Sequence, residues 1–312
     1  MNVVFMGTPD FAVPSLLALL EEAYNVVAVV TQPDRPKGRK RELTPPPVKA
    51  EATKRGIPVL QPEKLRDPGA LDAIRAFEPD LIVTAAYGQI LPKSLLALPR
   101  HGCINVHGSL LPKYRGGAPI QHAIMNGERA TGVTIMYMAA GLDTGDMISR
   151  VEVPITDDDT AGTMFEKLSA AGADLLRATL PDLLQGRIEA VPQNEAEATY
   201  APNISREDEK IDWSRTSREL FNQIRGLNPM PGAFTLWNGE VFKVWASRKP
   251  EGASSRSGAP GTVLQMTDDG LEVKTGDGSL WLTQVQPAGK KAMSVAEWKR
   301  GTTIPPGTVL GV

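Results

Sequence analysis

The sequence predicts a two-part protein: an α/β half built on a doubly wound, mostly parallel sheet, followed by a small OB-like β-barrel. Three observations carry this expectation. Short continuous apolar runs alternate with helix-like stretches through the first half. After residue 230, an Asn-Gly pair and two Asp-Gly pairs separate short strand-like segments. The composition also changes along the chain, with the three histidines at 101, 107 and 122 and all five tryptophans at 213 or later.

The apolar runs Val3–Met6, Val26–Val30, Leu81–Val83, Cys103–Val106 and Val133–Met136 have the unbroken hydrophobicity of strands covered on both faces, and all five are expected to be parallel. Between them, Pro14–Glu22, Pro46–Arg55 and Leu71–Phe77 are expected helices. The first two carry proline in the opening turn, where the missing N–H does no harm. That rhythm is the signature of a Rossmann-like doubly wound sheet. A long helix is expected over 160–185, where Met164, Leu168, Ala171 and Leu175 recur at helical spacing. The polar stretch Pro192–Asn203 has neither period and suits a linker. The expected division is a catalytic domain over 1–190, a linker over 191–205 and the OB-like domain over 206–312. In the last part, a helix around 216–226 precedes strands Phe234–Trp237, Val241–Trp245, Thr262–Met266, Leu271–Thr275 and Ser279–Gln286.

Composition removes several function classes. The chain has 312 residues, 41% of them hydrophobic and 22% charged, and no apolar run approaches the ~18 residues of a membrane span. A lone cysteine, Cys103, and three histidines are too few for a disulfide framework or a zinc finger, so no metal is expected. The N-terminal MNVVFMGTPDF lacks the basic and long apolar regions of a secretion signal, and a cytoplasmic location is expected. The first strand ends in Met6-Gly7-Thr8-Pro9-Asp10-Phe11, with one glycine where a dinucleotide fingerprint needs three; a P-loop is also missing.

The chemistry concentrates elsewhere. Asn105 and His107 stand two apart at the end of a strand, so an extended chain points both side chains the same way, beyond the carboxyl edge where open α/β sheets bind ligands. The segment Gly141-Leu142-Asp143-Thr144-Gly145-Asp146 brings a carboxylate on a Gly-flanked loop towards that edge. An amide, an imidazole and a carboxylate together suit acyl or formyl transfer. The amide donates to a carbonyl oxygen as it turns negative; His107 either donates to that oxygen as well or moves the proton that the attacking amine must lose, and Asp143 orients or charges the imidazole. A hydrogen-bonded structural histidine is the competing reading of the same spacing.

Asn105-Val106-His107-Gly108-Ser109-Leu110-Leu111-Pro112, with Arg115-Gly116 and Gly141–Asp146, resembles the signature of folate-dependent formyltransferases. Further segments resemble the members of that family acting on methionyl-tRNA: Met6–Phe11, Thr31–Pro36, Ala86-Tyr87-Gly88 with Ile90-Leu91-Pro92, Ile211-Asp212-Trp213, Arg225 with Asn228-Pro229, and Gln286–Ser294. The resemblance covers nearly the whole chain. It implies 10-formyltetrahydrofolate as cosubstrate, initiator methionyl-tRNA as partner and Asn105, His107 and Asp143 as catalytic residues. It also implies a folate site built from Ser109, Leu110, Leu111, Pro112, Tyr87, Gly88, Ile90 and Leu91. A monomer is expected.

The stretch Asp34–Glu42 sets Arg35, Lys37, Arg39, Lys40 and Arg41 against two acids on a loop leaving the same sheet edge. It is expected to hold acceptor-stem phosphates, a role the resemblance also implies. Lys290 and Lys291, with the arginines at 215, 218 and 225, make the OB-like domain an expected second tRNA-binding platform, by fold analogy and by the resemblance; plain solubility is the competing reading of these cations. Two rivals stay open: transfer to glycinamide ribonucleotide or an amino sugar, and a non-catalytic RNA-binding module. Motifs beyond residue 205 favour tRNA over the small acceptors.

Overall fold

In a computed structural model, which describes residues 1–252 and 255–312, the chain forms two units. The first comprises Met1–Pro119, Ala130–Pro154 and Phe165–Ala201. Its strands are β1 (Asn2–Gly7), β2 (Asn25–Val30), β3 (Arg35–Lys37), β4 (Glu42–Thr44), β5 (Val59–Leu60), β6 (Leu81–Ala85), β7 (Cys103–His107), β8 (Ala130–Tyr137) and β9 (Met147–Pro154). All but β3 and β4 join one sheet in the order β5-β2-β1-β6-β7-β8-β9. The chain winds outward from β1 on one side, then returns to β6 and β7 on the other. That reversal between β1 and β6 is the switch point at which such sheets open a ligand crevice. Val3, Val4, Phe5 and Met6 have no exposed surface, as expected of a strand covered on both faces. Helices Val13–Glu21, Pro47–Lys54 and Pro68–Arg75 each carry proline in the first turn.

One strand direction differs from expectation. The run Val133–Met136 lies in β8, which pairs antiparallel with β7, His107 opposite Thr134. The chain leaves β7 at the carboxyl edge and re-enters the sheet from that same edge. Thr131–Met136 are all buried, and a covered antiparallel strand has the same unbroken apolar pattern as a parallel one. The edge strand β9, paired with β8, was not anticipated; its half-buried Val151 and Val153 alternate with exposed Arg150, Glu152 and Pro154.

The helix Ala161–Leu184 packs from its second turn onward on the sheet. A Cβ on Gly172 would lie 2.9 Å from Val106 Cγ1, so the missing side chain is what brings helix and β7 together. Leu168, Leu176 and Leu180 are essentially fully buried, each contributing about 1.5–3 kcal/mol of transfer free energy. The stretch expected as a linker, 191–205, is largely not one. Val191 bridges Met147 and Tyr200 bridges Arg115, so 191–201 lies on the first unit as a strap. Its prolines and polar residues gave no period because the strap bonds through side chains and isolated bridges rather than a ladder.

The second unit comprises Ile120–Arg129, Ile155–Met164 and Pro202–Val312, so two early segments expected in the catalytic domain belong to it. Its strands are β10 (Ala233–Trp237), β11 (Glu240–Ser247), β12 (Val263–Thr267), β13 (Gly270–Lys274), β14 (Ser279–Gln286) and the short β15 (Met293–Ser294). The antiparallel order β10-β11-β14-β13-β12, with β15 on β14, is the small barrel-like sheet the turn signals predict. Asn238 (φ 51°) and Gly239 (φ 74°) make the tight primed turn between β10 and β11. Helix Ser217–Gly226 starts in a capping box, Thr216 with Glu219, and Leu220 and Ile224 join Phe242, Val244, Leu282 and Trp298 in one core.

Candidate active site

Strand alternation builds the site. On β7, Val106 faces the helix that carries Gly172, which turns Asn105 and His107 to the opposite face. Thr84 of β6 lies in register with Asn105, and its hydroxyl donates to Asn105 Oδ1 at 2.8 Å. The amide oxygen is therefore satisfied, while Nδ2 has no hydrogen bond among the described residues. Its two N–H groups are the donors available to a ligand.

His107 is buried, with Nε2 3.0 Å from the carbonyl oxygen of Tyr114. A carbonyl only accepts, so Nε2 carries the hydrogen and Nδ1 is the nitrogen left to take or release a proton. Nδ1 faces Asp143 Oδ2 at 3.7 Å, within ion-pair reach but beyond a direct hydrogen bond. The same Oδ2 accepts the Gly116 N–H at 2.8 Å. Asp143 sits at φ 51°, a left-handed conformation that aspartate tolerates better than most residues. Beyond it, a Cβ on Gly145 would fall 1.6 Å from the Tyr137 carbonyl oxygen, so only glycine lets the loop pass there. The site thus offers an amide donor, an imidazole with one free nitrogen and a half-buried carboxylate beside it. Cys103, two residues from Asn105, is no nucleophile: burial pushes its thiol up to about 12.

The residues expected to bind folate divide into two sets. Leu110 is half-buried, Gly88 is exposed and Ile90 is 79% exposed, so these stand open to a ligand. Ser109, Leu111, Pro112 and Leu91 are buried; Ser109 Oγ donates to the Lys113 carbonyl, and Leu111 N–H to Thr134 Oγ1. Tyr87 departs furthest from expectation. Its ring packs among Leu65, Ile74, Leu91 and Leu95, and burial pushes its phenol up to about 12. What Tyr87 presents at the loop is its backbone carbonyl, which accepts from Thr8 Oγ1 and Gln32 Nε2 and ties the ends of β1, β2 and β6 together.

The basic stretch forms a β3–β4 hairpin with Gly38–Arg41 at its tip. Arg35 reaches Glu63 at 3.6 Å, whereas Lys37, Arg39, Lys40 and Arg41 are exposed and make no ion pair among the described residues. Lys290 and Lys291 are likewise exposed. The arginines at 215, 218 and 225 have partners within the second unit. Arg225 is buried and donates to the carbonyls of Thr156 and Asp159 and to Asn222 Oδ1, Arg218 pairs with Asp157, and Arg215 with Glu219. Trp213 and Trp298 are core, but Trp245 and Trp281 are half-buried beneath Lys243 and Arg248. Among the described residues no group of three or more His, Cys, Asp or Glu side chains is arranged to hold a metal ion.

Sequence reasoning missed three contributors: Thr84, the Tyr114 carbonyl and Gln193, whose amide donates to the carbonyls of Asp143 and Gly145 at 2.8 Å each. Thr84 was signalled as a polar residue at the end of an apolar strand. A backbone carbonyl leaves no signal, and Gln193 lay in the apparent linker.

A family model described as formyl transferase matches residues 1–180, and one for the formyl transferase C-terminal domain matches 203–303. Curated relatives called methionyl-tRNA formyltransferase include that of Halalkalibacterium halodurans, 57% identical, and that of Bacillus subtilis, 58% identical. Each match spans 100% of this chain and 98% of the relative. Among solved structures, WlaRD, a sugar 3N-formyl transferase, has a TM-score of 0.67 at 20% identity, covering 93% of this chain and 99% of its own. HypX from Aquifex aeolicus in complex with tetrahydrofolic acid has a TM-score of 0.63 at 18% identity, covering 96% of this chain and 46% of its own. These two likenesses concern the fold alone. On the family models and the full-length relatives, the chain belongs to the formyl transferase family.

Proposed function

We propose that this protein transfers the formyl group of 10-formyltetrahydrofolate to the amino group of methionine on initiator tRNA. The observation that carries the proposal is the full-length match to methionyl-tRNA formyltransferases, coupled with Asn105, His107 and Asp143 gathered at one sheet edge. The neutral amine attacks the formyl carbon and a C–N bond forms. The carbonyl oxygen becomes an oxyanion that accepts from Asn105 Nδ2, whose orientation Thr84 holds. The tetrahedral species then breaks at the folate nitrogen. The proton lost by the amine returns to that nitrogen through His107 Nδ1 and the Asp143 carboxylate. Exposed Gly88 and Ile90 and half-buried Leu110 are the candidates to meet the flat pterin; Ser109, Leu111, Pro112, Tyr87 and Leu91 are buried. No step of this scheme calls on a metal. The unpaired cations of the hairpin, Lys37, Arg39, Lys40 and Arg41, with Arg35 and with Lys290 and Lys291 of the second unit, are the proposed phosphate contacts. We take the active species to be a cytoplasmic monomer.

The test is product identification. Purified protein, 10-formyltetrahydrofolate and charged initiator tRNA should give formylmethionyl-tRNA, detected by mass spectrometry after deacylation. Parallel reactions offer glycinamide ribonucleotide and a nucleotide-linked amino sugar. Formylation of either small acceptor with tRNA left unmodified would overturn the proposal, as would salt-sensitive tRNA binding without any transfer.

A further inference from the structure

We infer that residues 191–201 form a positioning strap for the His107–Asp143 pair, and that Gln193 is the residue through which the strap sets Asp143. Its kinetic consequence rests on the formyl-transfer reading; its geometry does not. Arg115 is 1% exposed and has only donors. Its Nε and Nη2 donate to Gln193 Oε1 at 3.0 and 2.9 Å, while Nη1 and Nη2 grip Glu195 at 3.0 and 2.7 Å. The arginine therefore fixes which end of the Gln193 amide is oxygen. The NH2 end must point the other way, where it meets two carbonyls, those of Asp143 and Gly145. An aspartate held at φ 51° needs such bracing, because its relaxed conformations lie elsewhere.

The strap also holds the histidine's partner. Tyr114 N–H donates to Thr199 Oγ1 and Arg115 N–H to the Thr199 carbonyl, both at 2.9 Å, so the Tyr114 carbonyl between them is aimed at His107 Nε2 by strap contacts on either side. Gly116, whose N–H holds Asp143 Oδ2, is pressed against the strap too: a Cβ there would lie 2.5 Å from the Ala201 carbonyl oxygen. The partner of His107 Nε2, the partner of Asp143 Oδ2 and the brace on the Asp143 carbonyl are thus all held by one segment. A displacement of ~1 Å in a reacting group costs on the order of a hundredfold in rate, so bracing of this kind bears directly on turnover.

Gln193→Glu tests this. It keeps the length and the acceptor for Arg115 but turns an oxygen towards two carbonyl oxygens. After circular dichroism and thermal melting establish the fold, amide hydrogen exchange is read at Gly116. Gln193→Glu should lose protection there by roughly tenfold or more, while β1 and β6 keep theirs. Its kcat for formyl transfer should fall by roughly tenfold or more, with KM for tRNA and folate within about twofold. In an Asp143→Asn background, Gln193→Glu should cost nothing further, because the two act through one carboxylate. Wild-type protection at Gly116, or losses that multiply in the double variant, would overturn the inference. If Gln193→Glu does not fold, Gln193→Met, which lacks both polar ends, takes the same measurements. If neither folds, the strap is a folding element and the inference fails. Exchange at Gly116 that responds in a protein unable to formylate tRNA would retire the proposed function and leave the positioning role standing.

Discussion

Replacing Asn105 and its partner Thr84 separates the donor from the group that aims it. Asn105→Ala removes a preorganised donor to the oxyanion, which typically costs ~2.7–4 kcal/mol of barrier, or about 100- to 900-fold in rate. Thr84→Val is nearly isosteric at a buried position and deletes the 2.8 Å bond to Asn105 Oδ1 together with the hydroxyl's longer contacts, 3.1 Å to the Ile104 carbonyl and 3.2 Å to Met138 Sδ. A hydrogen bond between neutral groups contributes ~0.5–1.5 kcal/mol net, so the freed amide should cost about 2- to 13-fold. The combination should be no slower than Asn105→Ala alone, since Thr84 acts through the amide. Rapid-quench single-turnover transfer at saturating folate measures all three. A Thr84→Val loss that persists in full on the alanine background would refute this division of roles, as would an Asn105→Ala rate within threefold of wild type.

Other outcomes follow from the same geometry. Replacing Arg39, Lys40 and Arg41 together by alanine should weaken tRNA use, reduce the slope of log KM against log salt by about 2–3, and leave folate binding unchanged; an unchanged slope would make the hairpin a solvated turn. Asp157, held down to about 2 by Lys249 and Arg218, is a carboxylate whose folded value lies below its unfolded ~3.9. Its stabilisation is complete above pH ~4 and is lost as pH falls towards 2. Urea titrations should therefore find Asp157→Asn less stable than wild type by about 1 kcal/mol or less at pH 7, given solvent screening, with the gap closing below pH 4. A gap constant with pH would mean that charge is not what the pair contributes.

How much was legible in the sequence depends on what each part presents to the chain's own pattern. The buried strands β1, β2, β6 and β7 announced themselves as apolar runs, and the β10–β11 turn as Asn238-Gly239, because local chemistry dictates both. The direction of β8 was not legible, since burial on both faces erases the difference between parallel and antiparallel pairing. Asn105, His107 and Asp143 were legible through strand alternation and a Gly-flanked loop. Burial of Tyr87 was not, because an aromatic beside a glycine serves a core as readily as a pocket. The burial of Arg225 against the carbonyls of Thr156 and Asp159, and the surface pair of Arg218 with Asp157, join residues about 60 to 70 apart in the chain. Long-range partners of this kind, Gln193 among them, leave no periodic trace.

The most direct measurement is the single-turnover rate of formyl transfer to methionyl-tRNA by His107→Ala, beside wild type, with folate affinity and melting temperature recorded on the same samples. Loss of the imidazole whose Nδ1 faces Asp143 should lower the rate by roughly a hundredfold or more while binding and melting stay near wild type. A variant that transfers formyl as fast as wild type would show that the proton travels by another route and that the convergence of these side chains is not what drives the reaction.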